Sequence, residues 1–268
     1  MSSAGTHMQE AAFHDEWAAG TNLADIEVRA AFEAITAPEN RFILSQMGSL
    51  KGKRILDIGA GLGESSVYFA LQGADVTMVD ISPGMIELAT RLARAHGVRI
   101  TGIVCAADSL HVPDNSFDFV YVANLIHHIE DRPRLFAQIH AALKPGGRFF
   151  SWDPLAYNPV INVYRRLATA VRTESESPLT ITDLRLAQKQ FTNVGHREFW
   201  MLTLALFLKY YLIDHVHPNA DRYWKRILRE TESSLSWFTP LQKLDALLTR
   251  LPLARWLAWN IVIYGTKS

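Results

Sequence analysis

Short apolar segments alternate with segments of helical periodicity through the middle of the chain, and this alternation limits the fold more than any other feature. Five strands are predicted at Arg54–Gly59, Asp75–Asp80, Arg99–Ala106, Phe117–Ala123 and Arg148–Asp153, with a turn at Lys144–Gly147 before the last. Helices are predicted between them at Glu64–Gln72, Pro83–Gly97 and Arg134–Leu143. A β-α-β-α order favours a parallel sheet with helices on both faces.

The segments that follow these strands are the expected place for a ligand, because parallel sheets bind ligands at the carboxyl ends of their strands. The segments are Gly59–Gly63, Asp80–Met85, Ala107–Leu110, Asn124–Glu130 and Asp153–Pro159. A ligand at this edge would contact side chains from several strands at once.

The first of these segments carries closely spaced glycines, in Asp57-Ile-Gly59-Ala-Gly61-Leu-Gly63-Glu64. A dinucleotide-binding loop follows the pattern G-x-G-x-x-G, whose last position here is Glu64. Carboxylates at Asp57 and Glu64 would repel a pyrophosphate, so the loop suits a nucleoside that carries a cation. After the second strand, Asp80 can accept both ribose hydroxyls, and after the third, Asp108 could take an adenine amino group.

Six motifs in this order resemble those of class I S-adenosylmethionine-dependent methyltransferases. They are Asp57–Gly63, Val79–Met85, Ala107–Ser109, Pro113–Asp118, Asn124–His128 and Leu143–Gly147. The pattern is most similar to the subgroup that holds ubiquinone/menaquinone-biosynthesis and other small-molecule methyltransferases, strongly over residues 40–155 and weakly outside them. The resemblance implies S-adenosylmethionine as cofactor. It also implies a Rossmann-like seven-stranded sheet, mostly parallel with an antiparallel last strand, and helices on both faces.

The same resemblance assigns cofactor roles by position. Asp57, Gly59 and Gly61 would line the methionine part, Asp80 would hold the ribose, and Asn124 would approach the sulfonium. Asp108 would reach the adenine amine, and Met85 would either approach the adenine or pack in the core. The full implied set is Asp57, Gly59, Ala60, Gly61, Asp80, Ile81, Met85, Ala107, Asp108, Ser109, Asn124 and Leu125.

Three titratable residues follow the fourth and fifth strands, on the expected ligand side. His127 or His128 could take a proton from the acceptor, because imidazole titrates near pH 6.5, or the two could form a packed, hydrogen-bonded pair. Asp153 could line the substrate cavity as a further catalytic residue or cap the next helix. The candidates for substrate binding are Trp17, Tyr157, Tyr164 and Arg165.

A long link joins the predicted sixth strand, Val194–Thr203, to the predicted seventh, Trp259–Tyr264. The link has about 55 residues, whereas a hairpin needs only 2–5, and a parallel sixth strand ends at the ligand edge. Leucine and tryptophan stripes predict that residues 204–256 form a helical lid. Residues 1–40 would form an N-terminal helical cover, and residues 41–203 with 257–268 the methyltransferase domain.

Composition excludes several kinds of protein. The 27 Lys and Arg residues balance 27 Asp and Glu residues, which argues against nucleic acid as a partner because phosphate binding needs a basic excess. One cysteine, Cys105, excludes intrachain disulfides and multi-cysteine zinc sites, and no other metal-ligand spacing is apparent, so no metal is expected. The longest apolar stretch, Phe199–Leu208, is about half of a membrane span. With no signal-peptide features at the start, a cytoplasmic location is expected.

These observations predict a methyltransferase that acts on a fairly large apolar small molecule, such as a natural product, terpenoid, quinone or lipid-like compound. The methylated atom (O, N or C) and the oligomeric state stay open. A competing use of residues 204–256 is contact with a membrane surface through an Arg/Trp stripe. Three alternatives remain. One is a cofactor-binding protein of the same fold that is either non-catalytic or catalyses a cyclisation. The others are a nicotinamide-dependent oxidoreductase, which Glu64 disfavours, and a partner-binding subunit.

Overall fold

Seven strands form one sheet in the computed structural model, which describes residues 3–168, 176–230 and 236–268. The strands are β1 (Arg54–Ile58), β2 (Asp75–Asp80), β3 (Thr101–Val104), β4 (Phe117–Ala123), β5 (Leu143–Pro154), β6 (Thr192–Phe199) and β7 (Asn260–Thr266). Their order across the sheet is β3-β2-β1-β4-β5-β7-β6, and β7 runs antiparallel to both of its neighbours. The expected Rossmann-like, mostly parallel sheet with an antiparallel last strand is confirmed.

Helices cover both faces of the sheet and fill the links between strands. The α-helices of the described residues are α1 (Ser3–Ala19), α2 (Ala30–Glu33), α3 (Pro38–Met47), α4 (Glu64–Leu71), α5 (Pro83–Ala95), α6 (Arg132–Ala142), α7 (Pro159–Leu167), α8 (Ile181–Gln190), α9 (Ala205–Leu212), α10 (Tyr223–Arg226) and α11 (Phe238–Leu248). A single 3-10 turn, Ile126–His128, follows β4 directly.

Successive side chains of the central strands point to opposite faces of the sheet, so the core consists of two apolar layers. On β1, Ile55 packs with residues of α4 and α5, whereas Leu56 and Ile58 pack with residues of α6 and α8. A parallel strand that is buried on both faces has a nearly continuous apolar sequence, which is why β1, β2 and β4 were predictable from the pattern. Asp57 is the charged exception within β1, and it lies at the carboxyl end where a ligand is expected.

Two strands are shorter than the sequence predicts. β3 ends at Val104 because it lies at the edge of the sheet, and its partner β2 ends at Asp80, opposite Val104. β6 ends at Phe199 instead of Thr203 because Trp200 takes a positive φ of 67° and turns the chain out of the sheet.

β5 is longer than predicted at its start. It begins at Leu143 because that residue already pairs with Phe117, across an irregularity in the ladder between β4 and β5. The glycine-containing segment Lys144–Gly147 therefore belongs to the strand and does not form a separate turn.

The residues between β6 and β7 form a separate apolar cluster together with Ile161 of α7. Its other large buried members are Trp200, Phe207, Tyr210, Tyr223, Phe238 and Trp259. Residues 231–235 of the predicted lid and residues 169–175 of the predicted methyltransferase domain lie outside the described residues. The division of the chain into cover, domain and lid stays a prediction.

Part of the predicted Arg/Trp stripe faces inward. The Arg222 guanidinium lies over the Trp17 ring, 4.2 Å from its centroid, and Trp224 meets the same ring edge-on at 5.8 Å. All three side chains line one cavity, so Arg222 and Trp224 are not free to face a membrane, whereas Arg229 is exposed. Within the described part of the chain, every helix is too short or too polar to cross a membrane.

Candidate active site

The carboxyl ends of β1 and β4 open into a cavity of about 260 Å³. The cavity is bounded by the glycine-rich loop after β1, the turn after β4, helix α1 and the segments next to β6 and β7. Its lining includes an aromatic wall, formed by Phe13, Trp17, Phe32, Tyr121, Trp152, Tyr164, Trp200, Trp224 and Trp259. The expected ligand edge of the sheet is therefore also the mouth of an apolar cavity.

The loop after β1 bends at two glycines with positive φ, Gly59 at 69° and Gly61 at 53°. A Cβ on Gly59 would lie 2.8 Å from the Leu125 side chain, whereas a Cβ on Gly61 would meet nothing within 4 Å. Gly61 therefore faces open space, and its N–H donates to Oδ2 of Asp80 at 2.9 Å. The predicted cofactor residues Asp57, Gly59, Ala60 and Gly61 all line the cavity.

Asp57 is buried at the end of β1, behind this loop. Its Oδ2 accepts hydrogen bonds from the hydroxyls of Ser65 and Ser66, at 2.5 and 2.6 Å. Burial raises the pKa of Asp57 to about 6, although these two hydrogen bonds lower it. The carboxylate is therefore mostly ionised at neutral pH, and it places a negative charge where the sequence predicts a cation.

Asp80 ends β2 and fixes the neighbouring backbone. Its Oδ1 accepts from the Ser82 N–H at 3.0 Å, and its Oδ2 accepts from Gly61. Burial raises the pKa of Asp80, and these backbone hydrogen bonds lower it. Each carboxylate oxygen has a second lone pair, so the backbone contacts leave acceptor capacity for ribose hydroxyls.

Helix α1 packs over the predicted ribose and adenine end of the site. Oδ1 of Asp15 accepts from the Ser82 hydroxyl at 2.5 Å and from the Gly84 N–H at 2.9 Å. Nε2 of His7 lies 3.6 Å from Oδ2 of Asp108. Because α1 covers this end, several predicted cofactor residues lie outside the cavity lining, namely Asp80, Ile81, Ala107, Asp108 and Ser109.

The prediction that Met85 approaches the adenine is not supported. Met85 is completely buried and packs in the apolar layer between the sheet and α5. Ser82 caps this helix by accepting a hydrogen bond from the Met85 N–H, which directs the Met85 side chain to the core face.

Glu64 has a partner that the sequence did not reveal. Its carboxylate forms an ion pair with the Lys225 ammonium of α10, and both residues line the cavity. The ion pair therefore neutralises part of the negative charge that would repel a pyrophosphate. Asp57 is then the main carboxylate that disfavours a dinucleotide.

Asn124 follows β4 and lines the cavity, as the cofactor prediction requires. It has a positive φ of 56°, an unusual conformation for a residue other than glycine. Its N–H donates to the Trp152 carbonyl on β5 at 2.8 Å, which holds the turn against the sheet. Leu125 lies outside the cavity lining, with its side chain against Gly59.

His127 is held by a carboxylate at the end of β5. Oδ1 of Asp153 lies 2.7 Å from Nδ1 of His127 and also accepts the His127 backbone N–H at 3.2 Å. Asp153 is completely buried and lies outside the cavity lining, whereas His127 lines the cavity. Burial raises the pKa of Asp153 to about 8, although the hydrogen bond from the His127 backbone N–H lowers it. Asp153 is therefore placed to hold His127 and does not itself line the cavity.

His128 lines the cavity beside His127 and faces helix α1. Its Nδ1 lies 3.6 Å from Oε1 of Glu10, whose Oε2 lies 3.7 Å from Nε2 of His14. Burial lowers the pKa of His128, but the hydrogen bond and charge of Glu10 outweigh this effect and raise it. The two neighbouring histidines thus have different carboxylate partners.

Three of the four predicted substrate-binding residues line the cavity, namely Trp17, Tyr164 and Arg165. Tyr157 does not, because its hydroxyl accepts the Ile181 N–H at 3.2 Å and its ring packs on Trp256. Its side chain is 41% exposed, so the structure argues against a role for Tyr157 in substrate binding.

A buried polar pair in the aromatic wall was missed by the sequence analysis. Asn260, at the start of β7, donates to Oε1 of Glu39 at 2.6 Å, and both residues line the cavity. Oδ1 of Asn260 has no hydrogen-bond partner among the described residues. The two residues are 221 positions apart, and an asparagine in an otherwise apolar strand was the only signal for them.

The sheet order, the glycine-bent loop and the carboxylates Asp57 and Asp80 agree with the predicted resemblance to class I S-adenosylmethionine-dependent methyltransferases. Residues 56–151 match the family described as a methyltransferase domain. Phosphoethanolamine N-methyltransferase 1 of Arabidopsis thaliana is 35% identical over 111 residues, which are 41% of this chain and 23% of that protein. The ubiquinone/menaquinone biosynthesis C-methyltransferase UbiE of Psychromonas ingrahamii is 29% identical over 153 residues, which are 51% of this chain and 61% of that protein.

Solved structures share the fold over most of the chain. The [4+2]-cyclase SpnF has a TM-score of 0.58 at 21% identity and covers 86% of this chain and 81% of its own. Phosphoethanolamine N-methyltransferase 2 of Haemonchus contortus, solved with S-adenosyl-L-methionine, has a TM-score of 0.56 at 23% identity, over 86% of this chain and 52% of its own. At these identities the likeness shows the fold alone.

The matches span less than two thirds of the length of these curated relatives. Over the matched domain they confirm the predicted resemblance to methyltransferases and, with it, the S-adenosylmethionine cofactor that this resemblance implies. The acceptor is not determined, because both phosphoethanolamine and quinone-pathway methyltransferases are among the relatives.

Proposed function

We propose that this chain transfers the methyl group of S-adenosylmethionine to a small molecule with a large apolar surface. The observation that carries the proposal is one cavity that joins the glycine-rich loop to an aromatic wall. Asp57 and Gly61 line the first part, and Trp200 and Trp259 line the second. A donor at the loop and an acceptor against the aromatic wall would share a space that largely excludes water.

The reaction would be an in-line displacement at the methyl carbon. The acceptor atom forms a bond to this carbon while the carbon–sulfur bond breaks, and the electron pair stays on sulfur as the neutral thioether of S-adenosylhomocysteine. The task of the protein is to hold the acceptor atom and the methyl carbon about 3 Å apart and aligned. Asp57 would favour binding of the cationic donor, and Asn124 would lie near the sulfonium.

The partners of the cationic side chains favour an apolar acceptor over a phosphorylated one. Lys225 is paired with Glu64, and Arg222 stacks on Trp17. Arg165 donates to the Leu155 carbonyl at 3.2 Å and to the Asn162 side chain at 2.9 Å. A phosphate would have to compete with these contacts, whereas an apolar group needs only the aromatic wall.

The acceptor's proton, where it has one to lose, would pass to His127 or His128. Both histidines line the cavity, whereas Asp153 is a positioning residue that holds His127 through Nδ1. An acceptor amine that is already neutral would need no such base.

The remaining predictions concern the surroundings of the protein. A cytoplasmic location and the absence of a nucleic-acid partner stay predictions from composition. Contact with a membrane surface would now depend on α11, where Leu244 and Leu247 are 42% and 59% exposed. The oligomeric state is left open.

A transfer assay with methyl-tritiated S-adenosylmethionine tests the proposal. The acceptors would be a demethylated quinol, a terpenoid alcohol, an aromatic amine and phosphoethanolamine. We expect label in an apolar acceptor, loss of transfer with Asp80→Ala, and normal transfer with the control Asp75→Ala, at the exposed start of the same strand. Label in phosphoethanolamine alone would contradict the apolar acceptor, and bound cofactor without transfer to any acceptor would contradict the reaction.

A further inference from the structure

Three side chains with metal-binding atoms converge on one wall of the cavity. His127, His128 and Glu176 each offer one ligand atom, and these atoms all lie within 4.8 Å of one another. All three residues line the cavity. We propose that they form a binding site for a divalent transition-metal ion. The proposal goes beyond methyl transfer and does not depend on it.

The two histidines have the outer partners that metal-binding histidines commonly have. In such sites the second ring nitrogen usually faces a carboxylate, which fixes the ring and makes the ligating nitrogen more basic. Here Nδ1 of His127 lies 2.7 Å from Asp153, and Nδ1 of His128 lies 3.6 Å from Glu10. Each histidine therefore has its Nδ1 beside a carboxylate, and Nε2 is the atom that we assign to the metal.

The backbone also holds the third ligand near the histidines. The Ser177 N–H donates to the His127 carbonyl at 2.7 Å, so the residue that follows Glu176 is tied to the turn after β4. Arg132 of α6 adds to this tie, because it donates to the Ser177 carbonyl and pairs with Asp183 at 2.7 Å. Glu176 is thus next to an anchored residue, although it is far from the histidines in sequence.

Two imidazoles and one carboxylate suit zinc, iron(II), manganese or cobalt more than calcium or magnesium. With metal–ligand bonds of about 2.0–2.2 Å, the ligand atoms would have to approach to roughly 3.3 Å of one another. Three protein ligands leave at least one coordination position, which would open to the cavity.

A metal ion would change the role of the histidines. The Nε2 lone pair can bind a metal or accept a proton, but not both. An ion at this position would contact an oxygen of the acceptor directly, and the histidines would then be ligands instead of bases. Metal titration therefore also decides between these two roles.

The test uses the full-length protein, stripped with a chelator and titrated with cobalt(II) alone. Calorimetry should show one ion per chain, and His127→Gln, His128→Gln and Glu176→Gln should each weaken binding at least tenfold. Glu10→Gln and Asp153→Asn should weaken it by about 10–100-fold. The matched control is His140→Gln, which changes a histidine on α6 that packs beside Phe191 and should leave binding unchanged.

A second measurement needs no variant. Bound cobalt(II) should shift the ring-proton resonances of His127 and His128 in the wild-type protein much more than those of His140. The proposal is overturned if no ion binds, if the three ligand variants bind as tightly as wild type, or if only other histidines shift. S-adenosylhomocysteine titrated into the same protein separates the two proposals: cofactor binding without cobalt binding overturns the metal site and leaves methyl transfer in place.

Discussion

We propose that single carboxylates determine which ligand the glycine-rich loop can accept. Asp57 carries its charge behind the loop, and Asp80 holds the Gly61 N–H in place at 2.9 Å. Gly61 in turn leaves open space where a side chain would otherwise stand. At the scale of the residue, the preference for an adenosyl cation over a pyrophosphate therefore rests on these three positions.

Replacing Asp80 with Ala should weaken binding of S-adenosylhomocysteine. The change removes the acceptor for the Gly61 and Ser82 N–H groups as well as for the ribose hydroxyls, so a loss of about 1–3 kcal/mol is expected. Isothermal titration calorimetry measures it, with Asp75→Ala as the control on the same strand. An unchanged dissociation constant for Asp80→Ala would refute the ribose assignment.

Glu39 should give the free energy of unfolding a specific pH dependence. Burial raises the pKa of Glu39 to about 7 from 4.5, and the hydrogen bond from Asn260 only partly lowers it. The folded protein therefore binds a proton that the unfolded chain has released between about pH 4.5 and 7. Over this range the contribution of Glu39 to stability falls as the pH rises, by about 3 kcal/mol at 1.36 kcal/mol per pKa unit.

The variant Glu39→Gln isolates this effect, because glutamine has nearly the same shape and does not titrate. Urea unfolding at several pH values should show the variant gaining stability relative to wild type from pH 4.5 to 7, with no further change above that range. The control is Glu87→Gln, at an exposed position of α5. A stability difference between Glu39→Gln and wild type that stays constant with pH would contradict the burial argument.

Helix α1 is the element that most changes the site from what the motifs alone suggest. Its Asp15 accepts hydrogen bonds at the start of α5, and its Glu10 faces His128. Helix α1 therefore covers the part of the site where the adenosyl group is predicted to bind, and it also reaches the part where the acceptor is predicted to bind. Movement of α1 would be needed for the cofactor to enter or leave.

Asp15→Ala should loosen α1 from the site. Loss of the hydrogen bonds from Ser82 and Gly84 should cost about 1–3 kcal/mol of docking energy and speed the release of S-adenosylhomocysteine. Stopped-flow displacement measures the release rate, and limited proteolysis reports on the exposure of α1. Glu16→Ala, at the next and exposed position, is the control. Release at the wild-type rate would show that Asp15 does not hold the cover in place.

The strands were more predictable than the elements around the site. β2 and β4 have the predicted bounds, because strands that are buried on both faces need continuous apolar sequences. The glycine loop was equally visible, since only glycine suits its backbone. The contacts of Glu39 with Asn260 and of Glu176 with His128 were not visible. They join residues far apart in the chain, and their formation depends on how the N-terminal segment and the link between β5 and β6 fold back over the sheet.

At the scale of the whole molecule, the insertion between β6 and β7 is tied to the sheet and to the N-terminal segment. Asp245 of α11 accepts backbone hydrogen bonds from Met201, Leu202 and Thr203, just after β6. Thr36 donates to the Ile227 carbonyl at 2.8 Å. These buried contacts should make the insertion and the sheet unfold together.

Denaturant unfolding followed by two signals tests this coupling. Tryptophan fluorescence reports mainly on the insertion, because Trp200, Trp224, Trp237, Trp256 and Trp259 lie in or beside it. Far-UV circular dichroism reports on the whole chain. Coincident transitions are expected, and Asp245→Ala should lower both midpoints together, whereas Lys243→Ala on the same helix should not. A fluorescence transition at a clearly lower denaturant concentration would mean that the insertion unfolds by itself.

We propose that the crevice behind Gly61 accepts the adenosyl group and sulfur of S-adenosylmethionine. The most direct test is a crystal structure of the protein soaked with S-adenosylhomocysteine. The account predicts density for the ligand along the loop after β1, with the ribose hydroxyls at Asp80 and the sulfur near Asn124. A crevice that stays closed by side chains, or a ligand bound elsewhere on the molecule, would contradict it.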